Sequence, residues 1–260
     1  MYLIDTHTHI YDEAFDSDID EVIQRCLDSG IKQVILPGID TSCYQSLMAL
    51  ANKYPDFAHP CIGLHPTSVD ANWKEELQHV VDNLDTNTHY AIGEIGLDGH
   101  WSKEFMNEQK QAFIFQIELA VKNNLPIIVH LRDASEELYE VLDSLSPDLL
   151  KELRGVFHAF SGSYETYRRI KQYGNFLFGI GGVVTYKKAG LAETLTKVPL
   201  EDLILETDAP WLTPVPHRGR RNEPSYIVHI AERIATIKEC EIEDVARITT
   251  ANAKTLFNLS

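Results

Sequence analysis

The sequence predicts a single-domain (β/α)₈ barrel of the triosephosphate-isomerase type, spanning residues 1–260. Three observations point there. Eight short apolar runs alternate with longer stretches of helical period. The runs are apolar throughout rather than alternating, as suits parallel strands buried on both faces. And the first run leads into THTHIYDE instead of the glycine-rich phosphate loop that opens many doubly wound sheets.

The strand candidates, in order, are YLID (2–5), QVILPG (33–38), PCIGLH (60–65), YAIGE (90–94), PIIVH (126–130), GVFH (155–158), FLFGIG (176–181) and LILETD (203–208). The first helix follows strand one. Ile19, Val22, Ile23, Cys26 and Leu27 keep an i, i+3, i+4, i+7, i+8 stripe, with Gly30 as its stop. A longer helix runs from Phe105 to Val121, turning Phe113, Ile117 and Ala120 to the core. After strand eight, Asn222 is expected to cap a helix with Pro224 in its first turn and Ile227, Ile230, Ala231 and Ile234 buried. The tail, Ile242 to Leu256, reads as a last helix packed on the outside. No short-period repeat beyond the βα alternation is present.

A net charge of −16 argues against a protein that coats nucleic acid non-specifically. It leaves room for a local phosphate site built on bound cations. Cys26, Cys43, Cys61 and Cys240 are scattered without a CxxC pair, as expected of free thiols in a reducing compartment. With no leader-like start and no long apolar span, the expectation is a soluble, cytoplasmic protein, without a membrane or an obligatory protein partner.

Functional groups of such barrels collect at the carboxyl ends of the strands. There the sequence places His7 and His9 after strand one, His65 after strand three, Glu94 after four, His130 after five, His158 after six and Asp208 after eight. On a strand, His7 and His9 would point the same way. Glu94 and Asp208, set among apolar residues, need partners to offset their burial. One divalent centre would satisfy imidazoles and carboxylates together. His7, His9, His130 and His158 with the two carboxylates exceed one tetrahedral ion but suit two ions bridged by Glu94, as in two-metal hydrolytic sites. His7, His9 and Asp208 would complete one shell, and His130 and His158 the other. Nitrogen and oxygen ligands without thiolate suit Zn²⁺, Mn²⁺, Ni²⁺ or Mg²⁺.

The motifs DTHTH (5–9), GLHP (63–66), AIGEIGLD (91–98), PIIVHLRDA (126–134), GVFHAFSGS (155–163), LILETDAPWLTP (203–214) and RGRRNEP (218–224) lie in order along nearly the whole chain. The sequence resembles the TatD family of metal-dependent deoxyribonucleases, within the amidohydrolase-like barrels. That resemblance implies metal ligation by His7, His9, Glu94, His130, His158 and Asp208, with Asp208 also able to act as base. It implies a DNA substrate, single-stranded or at 3′ ends, and a 3′–5′ exonuclease working through a metal-activated hydroxide. Two departures bear on substrate preference rather than metal binding. Leu131 stands where a serine is usual, and Gly99 where an aromatic commonly follows the aspartate.

His65 is the first candidate for a phosphate contact, followed by Arg132 and Arg221. Glu206 shares parity with Asp208 and is expected behind the ligands. The basic run His217–Arg221 follows strand eight and could guide a nucleic-acid backbone. His59, His79, His89, His100 and His229 are assigned to packing or surface. Three rival readings accompany the nuclease. They are a metal-dependent esterase, lactonase or deacylase, a non-catalytic metal-binding protein, and a seven-stranded three-metal phosphatase-type barrel that also begins with HxH.

Overall fold

A computed structural model describes residues 1–187 and 189–260. All eight strands are present, in order: β1 (Leu3–Asp5), β2 (Ile31–Leu36), β3 (Ala58–Pro60), β4 (Ile92–Asp98), β5 (Ile127–Arg132), β6 (Arg154–Phe157), β7 (Asn175–Ile180) and β8 (Leu203–Leu205). The helices are α1 (Ile19–Asp28), α2 (Thr41–Lys53), α3 (Trp73–Asn83), α4 (Met106–Lys122), α5 (Ser135–Ser144), α6 (Pro147–Glu152), α7 (Tyr164–Ile170), α8 (Leu191–Lys197), α9 (Ile227–Lys238) and α10 (Ile242–Phe257).

Every paired strand is parallel, β1 to β3 in one run and β4 to β8 in another. Backbone hydrogen bonds close the ring at both seams. Thr6 N–H donates to Leu205 O (3.0 Å), and Gly93 N–H donates to Ile62 O (2.9 Å). Side chains from seven strand segments fill the lower interior: Ile4, Ile35, Cys61, Ala91, Ile128, Val156 and Ile204. The outer faces pack against the helices in a second, larger apolar cluster. Among the described residues no helix is long and apolar enough to cross a membrane.

Five sequence expectations are revised. The third strand lies earlier than 60–65, because the chain leaves the ladder after Pro60 and keeps only an isolated bridge from Ile62 to Ile92 before turning at Pro66. The fourth continues past Glu94 to Asp98. Asn222 does not cap a helix; its amide donates to Thr207 O (2.8 Å) and Trp211 O (2.6 Å), and α9 starts at Ile227. The last helix is not simply external, since Ala253, Leu256 and Phe257 join the interior cluster and plug the amino-terminal mouth of the barrel. The α1 stripe holds for Val22, Ile23 and Cys26, all buried, whereas Leu27 is exposed. Gly30 lies in the left-handed region, as a helix-terminating glycine does.

Along the barrel axis the interior changes character. Two residues beyond Ile128, Val156 and Ile204 lie His130, His158 and Glu206, on the same face of the same strands. In β4 the register slips between Ile92 and Ile95. That irregularity lets Glu94 point inward although Ala91, three residues earlier, also does. Plugged by carbon below, the barrel is lined by ionisable groups above.

Candidate metal centre

Glu94 is the hub. Its side chain is 3% exposed, and among the described residues only imidazoles pair with it. Oε2 faces His7 Nε2 (3.1 Å) and His9 Nε2 (3.7 Å). Oε1 faces His158 Nε2 (2.7 Å), His130 Nδ1 (2.9 Å) and His65 Nε2 (3.2 Å). Asp208 Oδ1 completes the first side, 3.7 Å from His7 Nε2 and 3.5 Å from His9 Nε2. His7 and His158 stack across the middle, centroids 3.9 Å apart.

Local structure explains these placements. β1 ends at Asp5, so the two histidines lie just beyond the strand rather than on it. Backbone bonds nevertheless bring both rings inward: Asp208 N–H donates to His7 O (2.8 Å), Thr8 N–H to Ile35 O (3.1 Å) and His9 N–H to Ala209 O (2.8 Å). The two Nε2 atoms end 3.2 Å apart. Asp208 has a positive φ and so a left-handed backbone. Few non-glycine residues adopt that conformation, and the packed surroundings sustain the strain.

Several imidazoles have their tautomers set by a group behind them. Tyr11 donates its hydroxyl to Pro37 O (2.6 Å), so it must accept from His9 Nδ1 (2.8 Å). That leaves the His9 Nε2 lone pair facing the cavity. Asp98 Oδ2 accepts from His130 Nε2 (2.8 Å), which turns His130 Nδ1 toward Glu94. His65 differs. Its Nδ1 accepts from Thr67 N–H (3.1 Å), so the proton sits on Nε2 and His65 presents a donor to the cavity. Glu206 is fully buried beside His158. Its Oε1 accepts from Ala159 N–H (2.5 Å) and lies 3.9 Å from His158 Nδ1, outside hydrogen-bond range.

The electrostatics match a cation site. Burial opposes ionisation of Glu94, but the fields of His158, His65 and His7 outweigh it and hold the carboxyl well below its ordinary value. Burial likewise raises Asp208, yet the His9 hydrogen bond and the fields of His7 and His158 leave it below the usual range. His7 is pushed down to about 4, first by burial and then by His158, so it is a neutral imidazole able to ligate. His130, despite burial, is raised to about 9 by its hydrogen bonds to Asp98 and Glu94, so it holds a proton on each nitrogen, and a cation would displace the one on Nδ1. Asp98 lies at about 2: burial opposes this, and hydrogen bonds from His130 and two backbone amides outweigh it. Ligand atoms come within 4.8 Å of one another in three sets, His7–His9–Asp208, His7–Glu94–His158 and His65–Glu94–His130. Buried carboxylates facing imidazole nitrogens, with no ammonium or guanidinium among them, form a donor set that fits divalent metal.

The centre opens on a cleft of about 650 Å³, lined among others by His65, Asp98, Trp101, Arg132, Ser161 and Trp211. Arg132 is exposed at its rim, with its guanidinium over the Trp101 ring (5.6 Å). Arg221 is placed elsewhere. Its guanidinium is committed to Asp18 through two hydrogen bonds of 2.7 Å, to Ala14 O and to the Phe15 face. Among the described residues none of 217–221 lines the cleft; His217 stacks on Tyr226 and Arg218 on Tyr186. A guanidinium matched to a carboxylate in two-pronged fashion is a structural tie.

Sequence reasoning passed over Asp98, Tyr11, Trp101 and Trp211. Asp98 was within reach, since Glu94, Gly96 and Asp98 share one face of a strand. The residue between them has to be glycine. Gly96 has a positive φ, and a Cβ there would come within 2.1 Å of His130 O, so only a residue without a side chain fits. Tyr11 offered no signal, because its partner carbonyl is 26 residues away.

A family model for TatD-related DNases matches residues 4–258. The chain is 39% identical over 259 residues to the uncharacterized metal-dependent hydrolase YabD of Bacillus subtilis, covering 99% of this chain and 100% of that one. It is 32% identical over 266 residues to the 3′-5′ ssDNA/RNA exonuclease TatD of Erwinia tasmaniensis, covering 99% and 100%. The crystal structure of YJJV, a TatD homolog from Escherichia coli K12, superposes with a TM-score of 0.88 at 29% identity, covering 99% and 98%. An α/β barrel with a buried imidazole–carboxylate centre, matched to that family from end to end, identifies the chain as a member of the TatD family of metal-dependent hydrolases.

Proposed function

We propose that this chain is a two-cation phosphodiesterase that hydrolyses DNA, acting on single strands from the 3′ end. The observation that carries the reading is the two-sidedness of Glu94, whose oxygens each meet a separate set of donors. His7, His9, Asp208 and Glu94 Oε2 would hold one ion; His130, His158 and Glu94 Oε1 the other. The donor types suit Zn²⁺, Mn²⁺, Ni²⁺ or Mg²⁺. Bound there, divalent ions supply Lewis acidity for activating water and for neutralising phosphoryl charge.

The chain's own residues do the rest. Asp208 is ionised, and its side chain is partly open to the cleft. Both properties suit it to take the proton of the attacking water. His65 lines the same cleft, its Nε2–H 3.2 Å from Glu94 Oε1, from where it would turn to donate to a phosphoryl oxygen. Arg132 sets a positive charge at the rim of an otherwise acidic chain, where a phosphate backbone would pass. The similarity to a relative named as a 3′-5′ ssDNA/RNA exonuclease supports this substrate over a carboxylic ester.

The test is hydrolysis of a 5′-labelled single-stranded oligonucleotide by purified protein after chelation and metal add-back, beside a panel of lactones and esters. Two equivalents of bound metal and stepwise shortening from the 3′ end are expected, with Asp208→Asn losing turnover while keeping most of its metal. Intact DNA alongside rapid lactone or ester turnover would replace the nuclease by a carboxylic-ester hydrolase.

A further inference from the structure

Two indoles stand open to solvent at the cleft. Trp101 is 74% exposed and Trp211 50% exposed, among the most exposed large apolar side chains described. Rings of this size left bare beside an ionisable centre mark a contact surface more often than an accident of packing.

Their positions are not equivalent. The Trp211 backbone N–H donates to Asp208 O (2.8 Å), and its ring meets His9 edge-on with centroids 5.1 Å apart. It therefore adjoins the side of the centre where His9 faces Glu94 Oε2. The Trp101 N–H donates to Asp98 Oδ1 (3.3 Å), and Asp98 in turn holds His130, which faces Glu94 Oε1. Arg132 braces the Trp101 ring and sets a positive charge beside it. One indole thus flanks each half of the centre, and both line the same cleft.

We propose that Trp101 and Trp211 are stacking platforms for nucleobases on either side of the phosphate being cleaved. This rests on the nuclease reading above and narrows it. Each indole takes the face that the base across the cut would otherwise cover, so the two bases next to the cut must unstack from one another. Stacking is indifferent to base identity, since every base has a π face, so cleavage should show little sequence preference. A duplex end would have to fray before it could be cut.

The experiment compares Trp101→Ala, Trp211→Ala and the corresponding Phe variants on a single-stranded oligonucleotide and on the same oligonucleotide with abasic sites at its 3′ end. Each Ala variant should lose about tenfold in kcat/KM on the intact strand, mostly through KM, in keeping with the worth of one stacked base. The Phe variants should recover much of the loss. On the abasic strand the parent should already be slow, and parent and variants should converge. With metal chelated, binding of the strand should quench indole fluorescence in the parent, and less in each single variant. Equal activity of parent and Ala variants on the intact strand would overturn the proposal, as would an undiminished loss on the abasic strand. A parent that cleaves no oligonucleotide under any metal would instead remove the nuclease reading, and this one with it.

Discussion

Replacing Asp98 by asparagine tests how the second half of the centre is built. In the wild type, Asp98 Oδ2 accepts from His130 Nε2 at 2.8 Å, and Oδ1 accepts from the backbone N–H groups of His100 (2.8 Å) and Trp101 (3.3 Å). An asparagine of the same shape keeps its one oxygen on those two amides and turns its NH₂ toward His130. Two donors then confront each other, and the imidazole relieves this by giving up its Nε2 proton and keeping the one on Nδ1. Nδ1 is the atom facing Glu94 Oε1 and His158 Nε2, so the nitrogen that would ligate is left holding the proton. Loss of such an orienting partner typically costs 10–100-fold in metal affinity, or about 1.4–2.8 kcal/mol. That agrees with the roughly 1.5–3 kcal/mol of a charged hydrogen bond. The assay is calorimetric titration of Mn²⁺ or Zn²⁺ into metal-free protein. One equivalent should bind as in the wild type, through the His7, His9 and Asp208 side, and the other should weaken by that factor. Two equivalents of unchanged affinity would refute the tautomer argument. Equal weakening of both would refute the independence of the two sides.

Two further outcomes follow from the packing. Asp18 and Glu223 both titrate below their ordinary values: Asp18 chiefly through its Arg221 hydrogen bonds, Glu223 because Arg25 outweighs its burial. A carboxylate whose folded pKa is depressed contributes stability above its unfolded value, 3.8 or 4.5 here, and that contribution fades as pH falls through the folded value. Arg221→Ala should therefore lower the urea unfolding free energy by about 1–2 kcal/mol at pH 7 and flatten its decline below about pH 4.5. An unchanged acid limb would count against the tie between α1 and the loop after β8. Gly179→Ala should destabilise the fold by about 1–3 kcal/mol through overpacking of a filled interior. A Cβ at Gly179 would run into the Glu206 carboxylate, closer than any real contact allows. A melting temperature equal to that of the parent would show that Glu206 can move aside.

Most of the barrel could be read directly from the chain. A strand buried on both faces must be apolar along its whole length, so eight such runs were visible without any knowledge of their neighbours. The residues closing those runs were visible for the same reason: an imidazole or carboxylate at the end of a run such as PIIV is conspicuous. His7, His9, Glu94, His130, His158 and Asp208 do meet at one mouth. Arg221 was misplaced because a basic run reveals charge but not its partner, and Asp18 lies 203 residues away.

Local pattern therefore specified the architecture and the chemical types gathered at its upper rim. Contacts between distant segments specified how those types are used. Glu94 divides its oxygens between two groups of ligands only after a register slip in β4. His65 becomes a donor through Thr67, and Tyr11 and Asp98 orient the rings in front of them. The physical reason is one of range. Burial is recorded in the composition of a few adjacent residues, whereas the direction of a lone pair depends on atoms that meet only when the ring of strands closes.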